Sequence, residues 1–378
     1  MAKVKQNDFT LLGNLLDLAI RNGQDKQTIG IPIGPDTSLA VAEIILSSID
    51  NKLGSVVTKR EFRYIDDIGC GFKSISEAED ALANLQRCLG DLQLQLNPKK
   101  TKITELPSEL EALWVPHLRS FRFRFSKPYA QRTDLLSYFG RAFELSNTDR
   151  EEAVLRYAVQ RMRSIAIYET NWQLYESLLL QCLSVEPGTA SAVIGELIKY
   201  RLQMPLDILR IQESFQVLIE VHAPQGHGSE VVWAIWGAIA LDCELEATVI
   251  QKAMAMSDPC VSLCALHAND AGHVLGSVDI TPIEALMHEE ELKDEQWLLL
   301  YEANIKGWVS NKNGIDFVAD NKFFGPMKSA GVSFYDTTAT FPTKVRPAHL
   351  QRNNSPIDDY DFESFQLLTS FSGVDWDS

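Results

Sequence analysis

Long apolar runs are missing from this sequence of 378 residues. No stretch reaches the roughly 18 consecutive apolar residues that a transmembrane helix needs, so we expect no membrane span. The opening residues, MAKVKQNDFT, contain lysines but no apolar segment behind them, which argues against a signal peptide. Both absences predict a cytoplasmic protein without a membrane partner.

Cysteine and histidine are scarce and unclustered, with six and seven residues in the chain. Cysteines in mostly apolar surroundings are typical of reduced, buried thiols. Cys260 and Cys264 are four residues apart without a second pair of ligands, so no structural zinc site is expected. We interpret the histidines as polar loop residues. Four tryptophans at helical spacing are interpreted as core residues: Trp233, Trp236, Trp297 and Trp308.

Basic residues are in the minority, with 35 Lys and Arg against 51 Asp and Glu and a net charge of −16. Such a balance argues against nucleic-acid binding unless the positive charge is concentrated. Residues 97–132 provide that concentration, with a net charge of +5. A solvated face is the ordinary explanation of a charged run, but clustered Lys and Arg are also the electrostatic footprint of a phosphate-binding surface.

The composition is otherwise that of a globular protein, with 45% hydrophobic and 23% charged residues and enough length for two cores. Mixed helix and strand patterns cover residues 1–126. Recurring helical patterns with short breaks cover residues 127–335 and predict an all-α, helical-repeat-like domain. Residues 336–378 are acidic and predict a flexible tail. The expected fold class is α+β.

Two helices and a turn are predicted near the start of the chain. Apolar residues at helical spacing indicate a helix over residues 8–23. The segment GIPIGPDTS at 30–38 contains glycines and prolines that exclude a helix and impose a turn. Asp36, Thr37 or Ser38 then caps a second helix, which runs over residues 39–52.

A β-hairpin with two carboxylates is the next predicted element. Residues 61–65 and 68–72 are β-prone, and Asp66 and Asp67 lie between them. Paired carboxylates at a turn are by themselves most often part of a plain surface turn. Whether Asp66 and Asp67 have a function therefore has to be judged from the segments around them.

Further elements follow the hairpin. Ser76 and Glu79 have the spacing of a capping box at the start of a third helix. Residues 102–104 predict a strand. In residues 121–125, phenylalanine alternates with arginine, which predicts another strand with aromatic side chains on one face and Arg122 and Arg124 on the other.

Four segments, in this order, resemble motifs of reverse transcriptases. They are GIPIGPDTS at 30–38, RYIDDI at 63–68, LQLNPKKTKI at 94–103 and LWVPHL at 113–118. The resemblance implies a partial palm, a βαββαβ unit without its first strand, followed by the all-α domain. The Gly-Pro-Asp-Thr-Ser variant and the long helical C-terminal region most resemble bacterial enzymes of the abortive-infection and phage-defence type.

The resemblance also implies catalytic roles. Asp66 would be the principal metal ligand and Asp67 the supporting one, for Mg²⁺ or Mn²⁺. Lys100 would lie near the leaving pyrophosphate as a charge partner or proton donor; a solvated lysine is the alternative. Two divalent ions held by carboxylates suit nucleotidyl transfer, because they can clamp both the attacking and the leaving oxygen.

Binding roles are implied for residues on either side of the hairpin. Gly34, Ser38 and Tyr64 would face the template or the incoming nucleotide, with ordinary turn and capping chemistry as the alternative. The expected partners are an RNA template, a DNA product or primer, and deoxynucleoside triphosphates. Three arginines would contact the nucleic-acid backbone without reading its sequence, or form an exposed strand face: Arg119, Arg122 and Arg124.

One expected group is missing from the pattern. Reverse transcriptases carry a third carboxylate on the first palm strand, well before the Gly-Pro turn, and Asp8 lies too close to Gly34 to fill that place. Three hypotheses follow. The chain is a C-terminal fragment of a polymerase, completed by a missing N-terminal segment or a homo-oligomer; it is a catalytically incomplete nucleic-acid-binding protein; or it is a scaffold in phage defence.

Overall fold

The computed structural model describes residues 8, 10–24, 26, 30–31, 35–53, 61–107, 111–148, 153–311 and 314–341. These residues form two compact units, one within residues 1–110 and the other starting at Glu111. In this part of the chain, no helix combines the length and the apolar character needed to cross a bilayer. A mostly helical chain with few strands is consistent with the predicted α+β class.

The first unit consists of three helices and one hairpin. Its elements are α1 (Leu12–Asn22), α2 (Asp36–Leu53), β1 (Glu61–Tyr64), β2 (Asp67–Cys70) and α3 (Ile75–Gly90). A small core centred on Ile49 of α2 and on Ala81 and Leu89 of α3 joins the two longer helices. The hairpin lies between these two helices in the sequence.

Helix α3 begins at a capping box two residues earlier than predicted. The Ser74 hydroxyl accepts a hydrogen bond from the Glu77 backbone N–H (3.3 Å), and the Glu77 carboxylate accepts one from the Lys73 N–H (3.0 Å). Both serine–glutamate pairs match the same four-residue pattern. Ser74 provides the cap because its backbone is extended, with φ −146° and ψ 158°. The predicted box at Ser76 and Glu79 is therefore wrong.

Two predicted strands are absent from the described residues. Residues 102–104 and 121–125 both lack strand pairing, so the sheet of the first unit contains only β1 and β2 in the part of the chain that is described. The alternation within residues 121–125 is nevertheless correct, because Phe123 and Phe125 are buried whereas Arg122 and Arg124 are exposed. Aromatic burial explains this alternation without any β-ladder.

The second unit is almost entirely helical. Its first helices are α4 (Trp114–Arg119), α5 (Pro128–Thr148), α6 (Val154–Arg161), α7 (Trp172–Val185), α8 (Ala190–Tyr200), α9 (Ile208–His222) and α10 (Gly228–Leu241). The remaining elements are β3 (Leu245–Glu246), α11 (Ala247–Met254), α12 (Pro259–Asp270), β4 (Val274–Leu275), α13 (Thr281–Ala285), α14 (Trp297–Lys306), α15 (Phe317–Asp320) and α16 (Phe324–Ser329). Strands β3 and β4 form a short parallel pair.

Residues 111–126 pack with the helices that follow them. Trp114, Leu118, Phe123 and Phe125 are buried in the same core as Tyr138 of α5. The compact second unit therefore begins at Glu111, whereas the sequence patterns placed a division after residue 126. Most of the predicted tail, residues 342–378, lies outside the described residues.

The tryptophans of the helical unit pack in or against its core, as predicted. The Trp233 and Trp236 rings contact Phe341, at centroid distances of 6.2 and 5.5 Å. Trp297 stacks on Phe324 at 5.8 Å. These contacts tie residues near the end of the described chain to helices α10 and α14.

Two helical glycines allow a matched test of packing. A Cβ atom at Gly237 of α10 would lie 2.8 Å from Ile194 Cδ1 and 3.1 Å from Phe215 Cζ, whereas one at Gly140 of α5 would meet open space. We expect Gly237→Ala to lower the free energy of unfolding by about 1–3 kcal/mol through overpacking. Gly140→Ala should raise it by up to about 1 kcal/mol through helix propensity. Urea denaturation of both variants measures the difference, and equal shifts would contradict the packing.

A histidine pair lies at the corner between α9 and α10. The Nδ1 atoms of His222 and His227 are 2.8 Å apart, a hydrogen bond that requires one of them to be deprotonated. Burial, followed by the neighbouring His227, lowers the pKa of His222, against a smaller opposing effect of Glu230. The unfolded chain therefore binds a proton more readily than the folded one below about pH 6.5.

Acidification should consequently destabilise the corner between α9 and α10. We expect the free energy of unfolding to fall between about pH 7.5 and about pH 5.5, and His222→Gln to reduce that fall. Urea denaturation at the two pH values tests this, with His288→Gln as the control because His288 is exposed and pairs with Glu290. An unchanged pH dependence in His222→Gln would contradict the expectation.

Candidate active site

The hairpin turn holds the two predicted catalytic carboxylates. Tyr64 pairs with Asp67 across the antiparallel strands, so Ile65 and Asp66 form the two-residue connection. Asp67 is the first residue of β2, one position beyond the turn. Both carboxylates are exposed, and the predicted hairpin with its acidic tip is present.

The local sequence explains this register. The Phe62 ring lies over Gly69, its cross-strand partner, where a Cβ atom would come within 2.2 Å of the ring. Cross-strand contacts of this kind stabilise one register over its alternatives. Ile65 adopts φ +54°, a left-handed conformation that is strained for a β-branched residue. Backbone strain is thus concentrated at the residue before Asp66.

Arg63 connects the hairpin to α2. Its guanidinium donates to both carboxylate oxygens of Glu43 (2.6 and 2.9 Å) and of Asp50 (2.7 to 3.2 Å). It also donates to the carbonyl oxygen of Ile65 at 2.7 Å. The sequence interpretation gave Arg63 no role. The sequence did contain a signal for this contact. Arg63 lies in the RYIDDI segment, and Glu43 and Asp50 are two acidic residues seven positions apart on the preceding helix.

Electrostatics strengthen this connection. Hydrogen bonds from Arg63 lower the pKa of the Glu43 carboxyl, and those from Arg63 to Glu43 and Asp50 raise the pKa of the guanidinium. Glu43 therefore stays ionised and Arg63 stays charged. The two α2 carboxylates more than balance the charge of the arginine and accept its hydrogen bonds.

Lys100 lies in a loop shaped by Asn97. The Asn97 carbonyl oxygen accepts from the N–H groups of Lys100 (3.2 Å) and Thr101 (3.0 Å), while its side-chain oxygen accepts from the Lys99 N–H (2.9 Å). Asn97 therefore shapes the backbone that carries Lys100. Lys100 itself is exposed, as a residue that contacts a ligand phosphate must be.

Of the other predicted binding residues in the first unit, two are described. Ser38 is half-buried in the first turn of α2, and its N–H donates to the Pro35 carbonyl oxygen at 2.9 Å. The helix begins at Asp36, three residues earlier than predicted. Tyr64 is 72% exposed on the hairpin. Gly34 lies outside the described residues.

The three predicted phosphate-contacting arginines belong to the second unit. Arg119 is paired with Glu111, at 2.5 and 2.8 Å. Arg124 donates through its backbone and side chain to Asp134, a buried carboxylate of α5. Arg122 is exposed. All three side chains are exposed, but Arg119 and Arg124 already bind carboxylates of their own chain, whereas Arg122 has no carboxylate partner among the described residues.

The chemistry of the hairpin donors suits a hard divalent cation. Mg²⁺ is bound in proteins by one or two carboxylates together with substrate phosphates, and Asp66 and Asp67 offer two exposed carboxylates. Within the described ranges, no group of three or more Asp, Glu, His or Cys could hold a metal ion. The described donors therefore fit one Mg²⁺ with substrate phosphates, rather than the two ions of a nucleotidyl-transfer site.

Comparison with protein families identifies this segment. Residues 3–137 match the family model of reverse transcriptases (RNA-dependent DNA polymerases). The resemblance seen in the four motifs is thereby confirmed. No curated protein and no solved structure gave a match.

Proposed function

We propose that this protein takes part in RNA-directed DNA synthesis, with the β1–β2 hairpin as part of the polymerase active site. The observation that carries the proposal is the position of Asp66 and Asp67. They lie in and beside a two-residue turn, exposed, within the segment that matches the reverse transcriptase family model. The two carboxylates are adjacent in the sequence and both are exposed, so each is accessible to a substrate-bound cation.

Each site residue has a proposed role. Asp66 and Asp67 bind the divalent cation, Mg²⁺ or Mn²⁺, which supplies charge stabilisation to the transferring phosphoryl group when bound. Lys100 is the charge partner or proton donor for the leaving pyrophosphate. Ser38 and Tyr64 contact the template or the incoming nucleotide, as does Gly34.

The second unit is proposed to contact the nucleic acid. Arg122 is exposed, and its charge attracts phosphate without reading the bases. The segment from Glu111 to residue 137 lies both in the family match and in the helical unit. We propose that Arg119 and Arg124 support this surface through their pairs with Glu111 and Asp134.

Completion of the active site requires one more carboxylate. We propose that it comes either from residues outside the described ranges or from a second polypeptide, including another copy of this chain. The long helical unit then serves bacterial antiviral defence in the cytoplasm. The competing function is nucleic-acid binding or scaffolding without catalysis, which is favoured by the lack of a three-residue metal group among the described residues.

Incorporation of labelled nucleotides tests the proposal. The full chain, isolated from its own cells with any bound partner, would be given a primed RNA template, deoxynucleoside triphosphates and Mg²⁺. Template-dependent extension of the primer would support the proposed function. RNA binding without extension, in Mg²⁺ and in Mn²⁺, would instead support the catalytically incomplete alternative.

A further inference from the structure

All five N–H donors of the Arg63 guanidinium are engaged at the base of the hairpin. Nε donates to Asp50, Nη2 to Asp50 and Glu43, and Nη1 to Glu43 and to the Ile65 carbonyl oxygen. Five donors in a fixed planar fork are the full capacity of this side chain. Arg63 is only 14% exposed, so water has little access to the group.

We propose that Arg63 is a positioning residue that holds the Ile65–Asp66 turn, and so the metal-binding carboxylate of Asp66, in place. The inference rests on the proposed function of the hairpin. The contact that carries it is the 2.7 Å hydrogen bond from Nη1 to the carbonyl of Ile65, the residue that precedes Asp66. Ile65 is strained at φ +54°, and such a conformation persists only where its surroundings hold it.

Helix α2 orients the arginine. Glu43 and Asp50 are seven residues apart, which places them two turns apart on one face of the helix. Each binds the guanidinium through both oxygens, and bidentate pairs of this kind fix orientation as well as distance. The hairpin carboxylates are thereby coupled to the helix that begins beside Ser38.

Lysine cannot replace this arginine. An ammonium group has three donors around one atom, so it cannot serve two bidentate carboxylates and a backbone carbonyl together. Residues that support metal ligands typically change metal affinity by about 10–100-fold when they are replaced. We expect Arg63→Met to weaken cation binding at the hairpin by that factor, and Arg63→Lys to recover part of the loss.

Cleavage of the chain by bound iron provides a readout that does not depend on polymerase activity. Fe²⁺ with ascorbate and peroxide cuts the backbone beside the site where the ion binds, and added Mg²⁺ competes with it. Cleavage within residues 61–70 would be followed against Fe²⁺ concentration in the full chain, in Arg63→Met and Arg63→Lys, and in Asp66→Asn/Asp67→Asn. Arg87→Met is the matched control, because Arg87 donates only within α3, to Asn84.

The expected result is loss of hairpin cleavage in the double asparagine variant and a rise of about 10–100-fold in the Fe²⁺ concentration needed by Arg63→Met. Arg87→Met should match the unaltered chain. If the double variant loses cleavage while Arg63→Met behaves like Arg87→Met, the positioning role is refuted and the metal role stands. If the double variant still cleaves, the proposed metal role fails, and the positioning role fails with it.

Hydrogen exchange distinguishes a positioning role of Arg63 from a role in folding the hairpin. Backbone amides of β1 and β2 should keep their protection in Arg63→Met, because the strand pairing and the Phe62–Gly69 contact remain. Faster exchange should be confined to the Ile65–Asp67 turn. Loss of protection throughout both strands would show that Arg63 folds the hairpin, which would overturn the positioning role.

Discussion

Asp66→Asn is expected to abolish nucleotide incorporation, lowering the rate by at least about a thousandfold. The substitution keeps the size of the side chain and removes its charge. A bound cation stabilises the transferring phosphoryl group by several kcal/mol, and a neutral amide is a poor ligand for Mg²⁺. Asp66 is exposed in the turn, so its replacement removes a ligand without opening a cavity.

The measurement is primer extension by the isolated complex that contains this chain. Asp80→Asn is the matched control, because Asp80 is an exposed acid on α3 outside the hairpin. We expect the control to retain full activity. Incorporation by Asp66→Asn at the rate of Asp80→Asn would refute the catalytic assignment, whereas unchanged RNA binding by both variants would agree with it.

Phe215→Ala is expected to lower the free energy of unfolding of the helical unit by about 3–5 kcal/mol. Phe215 of α9 is fully buried, and its ring approaches the backbone of α10 at Gly237. The ring lies where α9 and α10 pack together, so neighbouring helices cannot easily close the space it leaves. The lost contacts and the remaining cavity both add to the cost.

Phe323→Ala is the matched control, since Phe323 is 68% exposed and contacts Phe324 edge-on. Its removal should change the free energy of unfolding by less than about 0.5 kcal/mol. Urea denaturation followed by circular dichroism compares the two variants. Similar midpoints for both would show that Phe215 is not a core residue.

Local patterns predicted the three helices of the first unit, the helical character of the second unit, and the hairpin with its acidic turn. The alternation of Phe123 and Phe125 with Arg122 and Arg124 was also correct, although no strand forms there. The reason is that burial of alternate side chains requires an extended segment beside a core, not a partner strand. The two strands predicted at residues 102–104 and 121–125 failed because pairing depends on distant residues.

The capping box shows a second limit of prediction from local sequence. Two serine–glutamate pairs, at Ser74 and at Ser76, share one spacing, and only the observed backbone conformation distinguishes them. Arg63 shows a third limit of prediction from local sequence. Its partners Glu43 and Asp50 lie 20 and 13 residues away, and no residue next to Arg63 indicates that it pairs with them.

The sequence by itself determined that two carboxylates lie at a hairpin and that four segments resemble motifs of reverse transcriptases. These are properties of neighbouring residues, set by backbone propensity and side-chain periodicity. Only the tertiary structure decided which charged groups are paired: Arg63 pairs with Glu43 and Asp50, and Arg124 binds the buried Asp134. Charge pairing across long stretches of chain depends on how helices pack, because packing alone brings a donor within reach of its acceptor.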